Sequence, residues 1–218
     1  MYTTSVATQA GQHEDAQRST EAADRLQAAY FPCFYNESTG LIAGWRSRDG
    51  QLHDYLFPWI NGLAVCFGLV PPDRAQQVMA RLEQWRQELG PQSFHLGMAA
   101  NLLPVPYGDH AMPGNRADGR DFFGLYINGC LTPGLNTWYL RALSIVGMAE
   151  VAEQACRELD EGFAQDWFMG GVGAADEFYT WEGLVTGYEG ALVGIPHALL
   201  AVVRHAYPQA APQPEWWP

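Results

Sequence analysis

The sequence predicts an all-α fold in which amphipathic helices alternate with helices that are apolar on every side. The apolar candidates occupy 57–70, 132–146 and 187–205. The amphipathic candidates precede them in turn and occupy 14–31, 74–89 and 149–163. A helix that is apolar all round must be surrounded by protein, whereas an amphipathic helix buries one stripe. Hairpins that bury one helix and expose the other stack into a solenoid or close into a toroid.

Two terminal segments lie outside this helical region. Residues 1–13 are small and polar, so we predict a disordered N-terminus. Residues 208–218 form a Pro-rich tail, which we do not expect to be helical. The partial helical domain is therefore expected at 14–207.

Composition excludes several classes of function. The 218 residues are 48% hydrophobic and 13% aromatic, which is enough for a packed core, and the formal net charge is −12. An acidic surface repels phosphate groups, so we expect neither nucleic acid nor an anionic membrane as a partner. All 12 basic residues are Arg. The absence of Lys excludes Schiff-base chemistry, pyridoxal phosphate attachment and a phosphate-binding P-loop.

The spacing of cysteine and histidine predicts neither a metal site nor a cofactor. Cys33, Cys66, Cys130 and Cys156 form no CxxC pair, and we expect free thiols. No pair of His residues has the spacing of metal ligands. The first residues show no basic segment followed by an apolar run, and no stretch reaches the length of a membrane span. We therefore expect a cytoplasmic protein.

Three long connecting segments, 32–56, 92–131 and 164–186, each precede an apolar helix. A regular stack brings all three to the same end of the molecule, and loops of this length are usually functional. They contain many Trp, Tyr, Asn and acidic residues. Because aromatic rings stack on sugar rings while polar groups bind hydroxyls, this composition predicts a neutral saccharide as ligand. Glycoside hydrolysis needs two carboxyl groups. The candidates are Asp49, Asp54, Asp121, Asp176, Glu177, Glu182 and Glu189.

The connecting segments carry motifs that resemble one family. GGVGAADEFYTWEG at 170–183 is similar to the glycine-rich stretch before the last inner helix of trehalases and related processing α-glucosidases. FFGLYING at 122–129 with TPGLNTWYLRAL, and FYNESTGLI with HDYLFPWINGLAV, resemble two further stretches of that family. The resemblance covers about 31–203. It implies the C-terminal half of a six-hairpin glycosidase domain, which is about half of an (α/α)6 toroid.

The resemblance also implies roles for individual residues. The family has a Glu followed by an aromatic pair as the base that activates water in an inverting reaction, and Glu177 with Phe178 and Tyr179 matches it. Complete members carry the general acid upstream, in a part that we expect to lie outside this chain. Asp54 and Glu182 are further catalytic candidates, and Asp54 is equally an N-cap of the next helix. The substrate-lining candidates are Trp45, Trp59, Asn61, Asp121, Tyr126, Asn128, Tyr179, Trp181, Tyr188 and Glu189.

Three functions are compatible with these residues. A hydrolase with Glu177 as base needs an acid from a second copy that completes the ring, or from Asp54. A non-catalytic saccharide-binding or scaffold domain would keep the cleft without the reaction. A sugar epimerase or isomerase on the same toroid is the weakest alternative. Those enzymes favour paired His residues, and the His residues here are scattered and expected to be structural.

Overall fold

The computed structural model describes residues 2–109, 122–126, 128–168, 178–186 and 194–206. In these residues the α-helices are α1 (Tyr2–Gln9), α2 (His13–Phe34), α3 (Pro58–Cys66), α4 (Pro72–Leu89), α5 (Asn136–Ile145), α6 (Ala149–Ala164) and α7 (Gly194–Ala206). The strands, of two residues each, are β1 (Tyr35–Asn36), β2 (Leu41–Ile42), β3 (Trp45–Arg46), β4 (Leu52–His53), β5 (Met98–Ala99) and β6 (Leu131–Thr132). A 3-10 turn at Pro133–Leu135 leads into α5.

The prediction of an all-α fold is wrong, because the connecting segments contain β-structure and the fold is mixed. Strand β1 pairs with β2, β3 with β4, and β5 with β6, all antiparallel. The first two pairs are hairpins within one connecting segment. The turn of the first hairpin contains Gly40, whose φ of 78° is in the left-handed region that favours glycine. Strands of two residues are too short to produce the apolar alternation by which strands are recognised in a sequence.

Helices α3, α5 and α7 pack side by side in one row. The close approach of α3 to α5 depends on Gly62, where a Cβ atom would lie 2.8 Å from the carbonyl carbon and oxygen of Trp138. The Cys66 thiol donates a hydrogen bond of 3.4 Å to the same carbonyl. The two helices therefore contact each other through backbone as well as side chains.

The three helices of this row run in the same direction. One contact lies at the C-terminal end of the row. Gln76, near the start of α4, donates a hydrogen bond of 3.5 Å to the carbonyl of Val146, the residue that follows α5. Ser144 of α5 lies 3.4 Å from the His205 ring nitrogen of α7. At the other end, the 3-10 turn before α5 contacts both α7 and β5. The described parts of the connecting segments therefore meet where α3, α5 and α7 begin.

Helices α4 and α6 each bury one stripe against this row. Helix α4 packs on α3, and α6 packs on α5 and α7. The buried apolar residues of these two helices are Ala75, Val78, Met79, Leu82, Ala152, Ala155, Cys156 and Leu159. The opposite faces of both helices are polar and exposed, which is the arrangement that a one-sided apolar stripe predicts.

A buried charged pair connects α4 to α5. Glu83 accepts two hydrogen bonds of 2.7 Å from the Arg86 guanidinium and one of 2.6 Å from the Tyr139 hydroxyl. Burial by itself would raise the pKa of Glu83, but the bonds from Arg86 and Tyr139 outweigh it, and that pKa lies below its ordinary value. Burial, with the adjacent Glu83 charge, raises the pKa of Tyr139 well above its ordinary value, so the phenol keeps its proton.

Helices α1 and α2 pack on each other at the edge of the molecule. Helix α2 buries only Ala16, and its Leu26 is 54% exposed. The segment 1–13, predicted to be disordered, contains helix α1 in the structure. The Pro-rich tail predicted at 208–218 lies outside the described residues.

Candidate functional site

Backbone hydrogen bonds join the three connecting segments to one another. The Tyr55 carbonyl of the first segment accepts bonds from Leu102 at 3.1 Å and Leu103 at 3.2 Å in the second. Leu131 of the second segment exchanges two bonds, 2.7 and 2.9 Å long, with Tyr179 of the third. The segments therefore form one surface at the N-terminal ends of α3, α5 and α7. We call this surface the loop end and define it as residues 45–57, 101–109, 122–126, 128–131 and 178–186.

Tyr126 stands out at the loop end because its ring is exposed while its backbone is strained. Its φ is 47°, a left-handed value that non-glycine residues rarely adopt, and 37% of the residue is exposed. The ring rests edge-on against Phe178, with centroids 5.1 Å apart. Phe178 itself is buried. An exposed aromatic ring therefore packs against Phe178, the residue that follows Glu177 in the chain.

Trp181 forms a second aromatic contact between the second and third segments. Its indole nitrogen donates a hydrogen bond of 2.5 Å to the carbonyl of Gly129. Its ring also packs edge-on against Phe123 at a centroid distance of 5.1 Å. Trp181 is half-buried, so part of the indole surface is open to solvent. The predicted saccharide residues Tyr126 and Trp181 are thus brought to the same surface.

Asn128 is buried and serves the fold, which corrects its prediction as a saccharide contact. Its side-chain oxygen accepts from the Val105 amide at 2.9 Å and from the Asn101 side chain at 3.2 Å. The Asn101 oxygen in turn accepts from the Gly129 amide at 2.8 Å. A buried amide needs such partners, and these bonds hold the two ends of the second segment together.

Asn61 and Tyr179 are likewise structural rather than exposed to a ligand. Asn61 is 0% exposed, accepts from the Ile42 amide at 2.8 Å and donates to the carbonyls of Ile42 and Phe57. Tyr179 is 2% exposed and donates to the Trp167 carbonyl at 2.9 Å. Both side chains are occupied by core packing and by hydrogen bonds to the backbone. A sequence pattern does not distinguish this structural role from a role at a binding surface.

The Asp54 carboxylate is occupied by hydrogen bonds that build the first segment. It accepts from the Thr39 hydroxyl at 2.5 Å, the Asn36 amide at 3.1 Å and the Leu56 backbone N–H at 3.0 Å. The last bond supports Leu56, which is buried with a φ of 56°. We therefore assign Asp54 to holding this turn ahead of α3, and its prediction as a general acid does not fit its partners.

The first segment also contains an aromatic and charged cluster around His53. The His53 Nδ1 lies 2.6 Å from the Asp109 Oδ2, and the Tyr55 hydroxyl donates to the same oxygen. The Trp45 ring lies parallel to the His53 ring, 5.0 Å away and 8° from its plane. Burial, and then the bond to Asp109, raise the pKa of Tyr55 far above its ordinary value, so the phenol remains a donor. We call these four residues the His53 cluster.

Sequence reasoning missed three members of the His53 cluster. Of the four, only Trp45 was predicted as a site residue, as a saccharide contact. His53 and Tyr55 are two residues apart, and in an extended segment this spacing places both side chains on the same face. The sequence contains this signal for the pair. The partner Asp109 lies 56 residues away from His53. That contact depends on the tertiary fold.

Two other predicted residues, Glu182 within the loop end and Trp59 just after it, do not form a defined site. Glu182 is exposed, and its backbone N–H is held by the Thr180 hydroxyl at 3.3 Å. Trp59 is half-buried in the first turn of α3. Asp121, Glu177, Tyr188 and Glu189 lie outside the described residues.

A separate open groove of about 430 Å³ lies between the β1–β2 turn and α4. Its polar groups already bind one another, since Arg81 donates to the Thr39 carbonyl at 3.1 Å and to the Gln84 oxygen at 2.6 Å. We therefore do not count this groove as part of the candidate site.

The described residues contain no group of three or more His, Cys, Asp or Glu side chains placed to hold a metal ion. No helix in the same part of the chain is both long and apolar enough to span a membrane. Comparison with models of protein families and with curated protein sequences finds no match.

Proposed function

We propose that the loop end binds a neutral saccharide and that Glu177 acts there as the general base of an inverting glycoside hydrolase. The observation that carries this proposal is the position of Tyr126. Its exposed ring is held in a strained backbone conformation against Phe178, the chain neighbour of Glu177. Strained residues of this kind persist where the surroundings hold them, and they cluster at functional sites.

The chemistry of the surrounding side chains supports the same ligand. The faces of Tyr126 and Trp181 offer flat apolar surface to a sugar ring, and no Lys lies at the loop end to select an anion. The loop end contains two Arg residues. Arg46 is bound to the carbonyls of Cys33 and Gly50, and Arg48 is exposed in the turn between β3 and β4. In the proposed reaction Glu177 takes a proton from water while that water attacks the anomeric carbon. A second carboxylic acid protonates the leaving oxygen.

Binding is tested by calorimetry with maltose and cellobiose, an α-linked and a β-linked disaccharide. We expect Tyr126→Ala to weaken binding about tenfold, because stacking on an aromatic face contributes on the order of 1 kcal/mol or more. Phe67→Ala is the matched control, since Phe67 is 48% exposed and lies beyond the C-terminal end of α3. Equal affinities of wild type and Tyr126→Ala, or no binding by wild type, would contradict the proposal.

The catalytic part is tested separately with a panel of α- and β-glycosides. Proton NMR of the first product follows the anomeric configuration, and we expect inversion with wild type. The Glu177→Gln variant should lose turnover, because an amide cannot accept the proton from water. Equal rates for the two proteins would remove Glu177 from the mechanism.

A second candidate is a saccharide-binding domain without turnover, and the bonding of Asp54 favours it. Three donors already surround that carboxylate, so Asp54 is not poised to protonate a leaving group. This alternative predicts saccharide binding that survives Glu177→Gln but is lost in Trp181→Ala, with no product formed by any variant.

We propose a second copy of the chain as a protein partner. Leu199 and Val203, one turn apart on α7, are 42% and 44% exposed. Burial of such side chains favours association.

The four cysteines are free thiols, which is typical of proteins in reducing compartments and supports the cytoplasm as the location.

A further inference from the structure

The His53 cluster fixes the protonation of one imidazole nitrogen and leaves the other without a partner. A carboxylate only accepts hydrogen bonds, so the contact of 2.6 Å between His53 Nδ1 and Asp109 places a proton on Nδ1. In the neutral ring the Nε2 atom is then an acceptor with a free lone pair. This atom is buried and has no hydrogen-bond partner in the described residues.

A buried nitrogen without a partner is unfavourable, because water that would otherwise solvate it has been removed. The surrounding structure nevertheless holds the ring in place from several sides. Trp45 covers one face, and Asp109 holds Nδ1 while itself held by the Tyr55 hydroxyl. The turn at Leu56, with its φ of 56°, is stabilised by Asp54. The fold therefore maintains an unsatisfied acceptor at a rigid position.

We infer that His53 Nε2 is the hydrogen-bond acceptor for a hydroxyl group of the saccharide, with Asp109 and Tyr55 as positioning residues. The inference rests on the proposed function and adds a ligand contact from the first connecting segment. The aromatic rings of Trp45, Tyr55 and Phe57 lie 5.8 to 6.1 Å from one another and form an apolar wall on the side of the imidazole that Trp45 covers. One acceptor beside an apolar wall suits a sugar hydroxyl.

The other ligands that an imidazole lone pair attracts fit less well. A metal ion needs further ligands, and the described residues offer no group of three around any site. An anion would be repelled by the Asp109 carboxylate. His53 is 9% exposed and its Nε2 is buried, so a hydroxyl would reach Nε2 only through a local shift of side chains. The contact is thus completed when the ligand binds.

The first test measures affinity for maltose and cellobiose by calorimetry. We expect His53→Ala to bind about tenfold more weakly than wild type, which is the effect of losing one hydrogen bond to a buried group. His95→Ala is the matched control, because His95 also pairs with a carboxylate, Glu161, at 2.8 Å but is far more exposed. It should bind within about twofold of wild type.

The second test reads the imidazole directly and does not depend on a folded His53 variant. Nitrogen-15 NMR of wild type should show the Nδ1–H tautomer of His53, and saccharide should shift the Nε2 resonance. Asp109→Asn should change the tautomer ratio and weaken binding together, which a purely structural role of Asp109 would not produce.

The outcomes separate the two proposals. If wild type binds a disaccharide but neither the His53 resonances nor the affinity of His53→Ala change, the inference is overturned and the saccharide site stands. If the tautomer is Nε2–H, the inference is overturned as well. If wild type binds neither disaccharide, the proposed function and the inference both fall.

Discussion

At the scale of single residues, the structure contains two charged contacts of the same spacing in very different surroundings. Glu83 and Arg86 are 5% exposed each and lie three residues apart on α4. Asp15 and Arg18 have the same spacing on α2, but their side chains are 54% and 73% exposed. The sequence alone shows two equivalent pairs, and only burial distinguishes them.

We predict that Glu83→Gln destabilises the protein by about 3 kcal/mol at pH 7, because the buried Arg86 charge loses its counter-ion. Asp15→Asn, the matched control, should change the free energy of unfolding by less than about 0.5 kcal/mol. Urea unfolding of both variants and wild type measures this. A cost of Glu83→Gln no larger than that of Asp15→Asn would contradict the prediction.

The cost of Glu83→Gln should also depend on pH. The pKa of Glu83 is depressed in the folded protein, so its ionised form contributes stability that is complete above the ordinary value of 4.5. That contribution is lost as the pH falls from there through the lower folded-state pKa. Unfolding measured between pH 7 and pH 3 should therefore show the difference between wild type and variant becoming smaller at the acid end.

At the scale of elements, the amphipathic helices were predicted with the best boundaries. The periodic stripes at 74–89 and 149–163 correspond to α4 at Pro72–Leu89 and α6 at Ala149–Ala164. The apolar candidate 57–70 corresponds to the shorter α3 at Pro58–Cys66. A uniformly apolar stretch has no periodicity that marks its ends, so the contacts of the folded chain decide where such a helix stops.

The packing of α3 on α5 leads to a prediction about Gly62. A Cβ atom there would lie 2.8 Å from backbone atoms of Trp138, so Gly62→Ala should destabilise the protein by about 1–3 kcal/mol, although Ala is the better helix former. Gly108→Ala is the control, since nothing lies within 4 Å of the added atom. Thermal unfolding compares the two variants, and equal melting temperatures would show that the helices separate without cost.

At the scale of the whole molecule, the exposed apolar side chains of α7 predict self-association. Leu199→Arg and Val203→Arg should shift the chain towards the monomer. In a symmetric dimer each copy would have to bury an Arg charge without a counter-ion, which is strongly unfavourable. Leu89→Arg is the control on a different surface, since Leu89 is 39% exposed at the end of α4. Sedimentation velocity gives the molecular mass. A wild-type chain that is monomeric at about 50 μM would contradict the dimer, since a stable interface gives micromolar or tighter association.

The structure confirms that the described parts of the three connecting loops meet, whereas the saccharide site there stays a proposal. The order of the segments predicted that the three connecting loops meet at one end, because each leads into an apolar helix. The individual assignments differ in outcome: Tyr126 and Trp181 lie on that surface, whereas Asn61, Asn128 and Tyr179 are buried. A sequence does not distinguish an Asn that hydrogen-bonds to buried backbone groups from an Asn that binds a sugar.

The sequence by itself determined the alternation of one-sided and uniformly apolar helices, because helical periodicity and composition are local properties of the chain. The tertiary structure alone decided the pairing of β5 with β6, the burial of Asn61 and Asn128, and the contact of His53 with Asp109. Each of these depends on hydrogen bonds between residues that are distant in the chain, and the local pattern of a sequence does not contain such contacts.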